Sequence, residues 1–187
     1  MPRLILASAS PRRRQLLAEH GYTFTVAPAD VEEVAPAHFT PREVVLWNAR
    51  IKARAIAREQ PGEIVLGVDT LVAFGGRIFG TPRDMAEAFA MVSELNGQTH
   101  EVFSGVCLVR AATGEERTFA EVTRVHFHRL SDAQLRAYLA RIGPLDKAGA
   151  YAAQDDRGEF IARVEGSFTN VIGLPMESLA EALAAFV

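Results

Sequence analysis

A chain of 187 residues, 49% of them hydrophobic, can bury a sizeable core in one lobe or in two. Its formal net charge of −3 and pI near 6.0 exclude a general nucleic-acid binder, because affinity for phosphate backbones rests on a surplus of Lys and Arg. One cysteine, Cys107, excludes an internal disulfide or a multi-cysteine metal site and fits a reducing compartment, so the expected location is cytoplasmic. The apolar stretch at residues 4–7 is too short for a secretory signal, and no apolar run approaches the roughly 18 residues that span a bilayer. A soluble protein with no membrane partner is expected.

In chain order, residues 4–7 read as a short buried strand, followed by a helix that Ser10 caps and Pro11 opens and that stops at Gly21. A second helix starts at Pro41, with Val44, Val45, Trp47, Ile51 and Ala55 as its apolar positions, Arg50 and Arg54 exposed, and a break at Pro61-Gly62. Residues 63–74 are rich in Ile, Val and Leu and read as a central strand, with Asp69 in its middle and Gly75-Gly76 turning into a partner at residues 77–79. Residues 84–95 follow as a helix with Met85, Ala88, Phe89 and Val92 inward, closed by Asn96-Gly97. The β-rich runs 101–110 and 117–128 predict an antiparallel hairpin. Ser131 and Gln134 form a capping box for a helix ending near Ile142. A strand at residues 160–164 and a last helix from Pro175, docking Leu179, Leu183 and Phe186, complete the order. This order defines an α/β fold, a mixed sheet flanked by helices, with no linker or repeat and with a ligand expected in a cleft.

Several residues stand out chemically, each with an alternative. Arg12, Arg13 and Arg14 crowd the first turn of a helix, where the dipole disfavours cations by about 0.3 to 1 kcal/mol each. Together with Ser8, Ser10 and the helix N–H groups they match a triphosphate; the alternative is a surface basic turn. Asp69 is a lone carboxylate among apolar neighbours, which needs either a ligand in a cleft or a basic side chain as partner. Lys52 lies three residues from both Ala49 and Ala55, small neighbours that let it reach inward, the alternative being a solvated lysine. Glu33, beside Glu32, could join Asp69 in an oxygen site for Mg²⁺, or lie in a solvated acidic run. His126 and His128 share a strand face at a spacing zinc could use, but the polar outer side suits them better, and Cys107 reads as core.

The runs at residues 6–13 (Leu-Ala-Ser-Ala-Ser-Pro-Arg-Arg), Asp69-Thr70, 95–100 (Leu-Asn-Gly-Gln-Thr-His), 147–154 (Lys-Ala-Gly-Ala-Tyr-Ala-Ala-Gln), Gly166-Ser167 and 170–175 (Asn-Val-Ile-Gly-Leu-Pro) coincide in order with one family. The chain resembles the Maf-like nucleotide pyrophosphatases, also called septum-inhibition proteins. The resemblance implies a single Maf-like domain over residues 1–187, two-lobed around an elongated mixed sheet, with nucleotide in a cleft between the lobes. It implies Asp69 as the proton acceptor that activates water, Ser8, Arg13, Lys52 and Lys147 as phosphate contacts, and Glu33 with Asp69 as ligands of a divalent cation, Mg²⁺ or Mn²⁺. Arg12, Thr70 and Gln154 match positions tied to base selection, and the Asp-Thr pair looks like the branch acting on dTTP and UTP, with a role in cell-division arrest and clearing of modified nucleotides. The implied partner is a nucleoside triphosphate; nucleic acid is not expected, and a homodimer is allowed.

Two departures accompany the resemblance. Thr81 stands where the family usually has lysine, which removes a phosphate cation unless Arg83, Lys147 or metal replaces it. Ser104 stands where threonine is common, and retains the hydroxyl. Thr81 favours a second reading, a slow or non-catalytic nucleotide-binding regulator of septum formation; an inosine or xanthosine triphosphate pyrophosphatase is a third.

Overall fold

The computed structural model describes residues 3–186, which form two compact units. The first unit takes the chain through Thr70, the segment Ser104–Glu121 and the chain from Gly173 onward. Within it, β1 (Leu4–Leu6) pairs in parallel with β2 (Phe24–Val26) and with β3 (Ile64–Phe74). Parallel neighbours need crossover connections, and α1 (Pro11–Glu19) and α2 (Pro41–Glu59) lie in them. Ser10 caps α1, its hydroxyl accepting from the Arg13 N–H at 3.5 Å, with Pro11 at the start. Thr40 caps α2 in a capping box: its hydroxyl accepts from the Glu43 N–H at 3.3 Å, while Glu43 accepts from the Thr40 N–H at 2.7 Å. Strand β2 has no counterpart among the expected elements; three residues are too few for alternation to register, and the edge of β1 recruits them.

Helix α2 lies against the sheet at backbone distance. A Cβ on Gly67 would meet the Ala49 carbonyl oxygen at 2.1 Å and the Ala53 nitrogen at 2.7 Å, and one on Gly105 would meet the Val45 oxygen at 2.2 Å. The contact face is accordingly small: Ala49, Ala53 and Ala57 pack with Ile5, Ala7, Val65, Cys107 and Val109. This corrects the expected apolar face of α2, because Trp47 is 47% exposed while Asn48 and Lys52 are buried. A tryptophan does not fit where backbones nearly touch; it packs edge-on with Phe39 instead, ring centroids 6.2 Å apart. Cys107 is a buried free thiol, its pKa pushed up to about 12, chiefly by burial, so it behaves as a core residue.

The second unit holds Leu71–Phe103 and Val122–Ile172. There the end of β3 pairs antiparallel with β4 (Arg77–Phe79), Val72 opposite Phe79, and α3 (Met85–Leu95) follows with Asp84 as its cap. The strands β5 (Thr99–Arg110) and β6 (Glu115–Phe127) contribute residues to both units, as β3 does. Helix α4 (Asp132–Ile142) starts at the expected Ser131 capping box, and two 3-10 turns, Pro144–Asp146 and Ala148–Ala150, lead to β7 (Ile161–Glu165), antiparallel to β6. A five-residue helix, α5 (Phe168–Ile172), was not expected, whereas α6 (Met176–Ala184), in the first unit, was. The strand order β2-β1-β3-β5-β6-β7, with β4 on β3, gives the mixed sheet.

The core of the second unit centres on Phe127, stacked on Phe160 at 3.8 Å, with Tyr138, Tyr151, Val92 and Leu95 around it. Met85, expected inward, is exposed at the start of α3, where the first turn precedes the packed face. His126 is half-buried, its Nδ1 2.8 Å from the Thr99 hydroxyl and its Nε2 3.3 Å from Glu165; His128 is exposed. Among the described residues no group of three or more His, Cys, Asp or Glu is placed to hold a metal ion, and no helix is long and apolar enough to cross a membrane.

Candidate active site

Strand β3 carries Gly67 and Asp69 on the same face, because side chains alternate along a strand. The close seat of α2 on Gly67 therefore brings Asp69 to the buried side of α2. Asp69 is only 6% exposed. Its Oδ1 accepts from Lys52 Nζ at 2.8 Å and its Oδ2 from Asn48 Nδ2 at 3.2 Å. Lys52, four residues after Asn48 and hence on the same helix face, also donates to the Val68 carbonyl at 3.3 Å and meets Glu33 Oε1 at 2.6 Å. Asp69 thus has the basic partner its burial requires, and Glu33 extends that pair outward, its side chain 56% exposed.

Thr70 points the other way and joins a second cluster. Ser8 follows β1 and is buried; its hydroxyl accepts from Arg13 Nη1 at 2.9 Å and from the Ser10 N–H at 3.3 Å. The same guanidinium donates from Nη2 to the Thr70 hydroxyl at 3.0 Å and from Nε to the Gly173 carbonyl at 2.9 Å. Thr70 is in turn 2.9 Å from the buried Ser104 hydroxyl, so the hydroxyl that serine retains is used. Burial lowers the Arg13 pKa to about 10; Asp69 and Glu33 oppose that shift and Arg12 adds to it. Arg13 is cationic at neutral pH, and its field links the two clusters.

The three arginines of α1 therefore part ways: Arg13 turns to the hydroxyls, Arg12 is half-buried and Arg14 is exposed. Lys147 and Gln154 belong to the second unit. Lys147 is buried and donates to the Gly143 carbonyl at 2.9 Å and to Asp146 at 2.6 Å, while Gln154 is half-buried in a turn. Thr81 is exposed just after β4, and Arg83 beside it pairs with Glu87 at 2.9 Å. Sequence reasoning missed Asn48. Its spacing of four from Lys52 on a predicted helix was the signal that could have found it.

The carboxylates of Asp69 and Glu33 converge on one ammonium, that of Lys52. Carboxylates are the donor type that Mg²⁺ and Mn²⁺ take together with substrate phosphates. Fold and site together define an α/β protein that sets a buried carboxylate next to a hydroxyl and guanidinium cluster suited to a phosphorylated ligand. The chain belongs to the Maf-like family: the family model described as Maf-like protein matches residues 3–186. It is similar to the dTTP/UTP pyrophosphatase of Anaeromyxobacter dehalogenans, 47% identical over 97% of this chain and 93% of that one. It is likewise similar to the dTTP/UTP pyrophosphatases of Pelotomaculum thermopropionicum, 42% identical over 100% and 97% of the two chains, and Moorella thermoacetica, 44% over 100% and 96%.

Proposed function

We propose that this protein is a cytoplasmic nucleoside triphosphate pyrophosphatase that hydrolyses dTTP and UTP to the monophosphate and pyrophosphate. The observation that carries the reading is the buried Asp69 carboxylate, held between Lys52 and Asn48 and one residue from the Arg13–Thr70 contact. Water adds to the α-phosphorus, the bond to the bridging oxygen of the β-phosphate breaks, and pyrophosphate leaves. Asp69 accepts the proton of the attacking water. Ser8, Arg13 and the N–H groups opening α1 bind phosphate oxygens, and Lys52 balances charge beside the base. Glu33 and Asp69 would hold Mg²⁺ or Mn²⁺, which supplies charge neutralisation for the phosphates and acidifies bound water. Base selection by Arg12, Thr70 and Gln154, and phosphate binding by Lys147, are part of the same proposal.

The test is pyrophosphate release from a panel of pyrimidine and purine triphosphates with Mg²⁺ or Mn²⁺. Turnover of dTTP and UTP above the purines supports the reading. Preference for inosine or xanthosine triphosphate overturns it, and binding without turnover favours the regulator that the neutral, exposed Thr81 suggests. On this panel Arg13→Ala is expected to lower kcat/KM for every triphosphate by about 10²-fold, since it removes a charge-assisted donor and releases Ser8 and Thr70 together. Arg12→Ala is expected to change the ratio between dTTP and the other nucleotides. Identical effects of the two substitutions across the panel would remove the distinction between them.

A further inference from the structure

The middle of α2 carries an asparagine that neither helix formation nor core packing explains. Asn48 is 3% exposed, on the buried face of the helix beside Ala49, and asparagine is a poorer helix former than that alanine. Both ends of its amide are engaged. Oδ1 accepts from the Val34 N–H at 3.0 Å, and Nδ2 donates to the Val34 carbonyl at 3.1 Å and to Asp69 Oδ2 at 3.2 Å. The reversed amide would set a donor against the Val34 N–H and an oxygen against both the Val34 carbonyl and the Asp69 carboxylate, so the network permits one orientation.

We infer that Asn48 is a positioning residue for the hydrolysis proposed above: it registers the segment bearing Glu33 against Asp69. Residues 27–36 run without helix or strand, so side chains must fix this stretch. Asn48 binds both backbone groups of Val34, as a neighbouring strand would, and Lys52, one turn further along α2, binds the carboxylate of Glu33. Two points on one helix face thereby set the Glu33 backbone and side chain. The third contact of Asn48 sets the rotation of Asp69, whose other oxygen Lys52 holds. The spacing of the two carboxylates is then fixed by α2. A small displacement of such groups can cost about 10²-fold in rate while ground-state binding of nucleotide changes little.

The inference rests on the reading of Asp69 as the base, and two measurements separate their failures. In Asn48→Leu, close in volume and without polar groups, kcat for dTTP is expected to fall about tenfold or more at saturating metal, with KM within about threefold and the fold retained by circular dichroism. The Val34 amide, deprived of its acceptor, is expected to exchange hydrogen faster than in the unsubstituted protein. In Asn48→Asp the acceptor for the Val34 N–H remains, but an oxygen now faces both the Val34 carbonyl and the Asp69 carboxylate, so kcat should fall and Val34 exchange should quicken less than in Asn48→Leu. Unchanged kcat in either folded variant, or unchanged Val34 exchange in Asn48→Leu, overturns the inference; so does an effect confined to KM. If the unsubstituted protein turns over no triphosphate, the proposed function fails, and Val34 exchange still decides whether Asn48 tethers the segment.

Discussion

Asp69→Asn is expected to lower pyrophosphate release by about 10²- to 10⁴-fold, the range that loss of a general base produces. An amide cannot take the proton from water, and both neighbours of Asp69 are donors, Lys52 Nζ at 2.8 Å and Asn48 Nδ2 at 3.2 Å. The new side chain can present its oxygen to only one of them and must set its NH₂ against the other. Asn48 cannot turn to relieve this, because Val34 holds its amide from both sides. The variant is therefore expected to lose about 1 to 3 kcal/mol of stability as well. It should still fold, since Glu33 at 2.6 Å continues to neutralise Lys52. Single-turnover rates together with thermal melting separate the two effects, and a folded Asp69→Asn protein with the original rate would refute the assignment.

The largest structural effect is expected at Gly67. Alanine there places a Cβ 2.1 Å from the Ala49 carbonyl oxygen and 2.7 Å from the Ala53 nitrogen, and neither backbone atom belongs to a flexible side chain that could swing away. Helix α2 has to lift from β3, which opens the alanine core and separates Lys52 and Asn48 from Asp69. Overpacking of this kind costs about 3 kcal/mol or more, a large part of the roughly 5 to 15 kcal/mol that holds a domain folded. At about 2 to 4 °C per kcal/mol for a chain of this size, the melting temperature should fall by roughly 10 °C, with activity lost in whatever remains folded. Gly62→Ala is the control: nothing lies within 4 Å of its added Cβ, so its stability should stay within about 0.5 kcal/mol. Equal melting of the Gly67→Ala and unsubstituted proteins would show that α2 does not need its close seat.

Much of the fold was legible because its signals are local. The Ser10-Pro11 start of α1, the capping box at Ser131, the Gly75-Gly76 turn and the apolar run of β3 each act through neighbouring residues, and each lies where expected. The elements that escaped notice, β2 and α5, are three and five residues long; pairing and packing supplied by the rest of the chain hold them in place. Side-chain direction was less legible. Periodicity ranked Trp47 above Asn48 as a buried position on α2, since it weighs apolarity and has no access to the distance between backbones. That distance is set at Gly67 and Gly105.

The site divides along the same line. Residue type and neighbourhood by themselves determined that Asp69, alone in an apolar strand, needs compensation, and marked Ser8 and the arginines opening α1 as candidates for an anion site, with a surface basic turn as the alternative. The chain alone left open what compensates Asp69. Lys52, 17 residues earlier, Asn48, 21 residues earlier, and the segment bearing Glu33 meet it only because α2 packs on β3 closely enough for short contacts to form. The division of the arginines, with Arg13 drawn to Ser8, Thr70 and the Gly173 carbonyl, was likewise decided in three dimensions. The physical reason is common to both cases: a buried charge or amide is placed by partners distant in the chain, whereas caps, turns and strand runs are specified by the residues beside them.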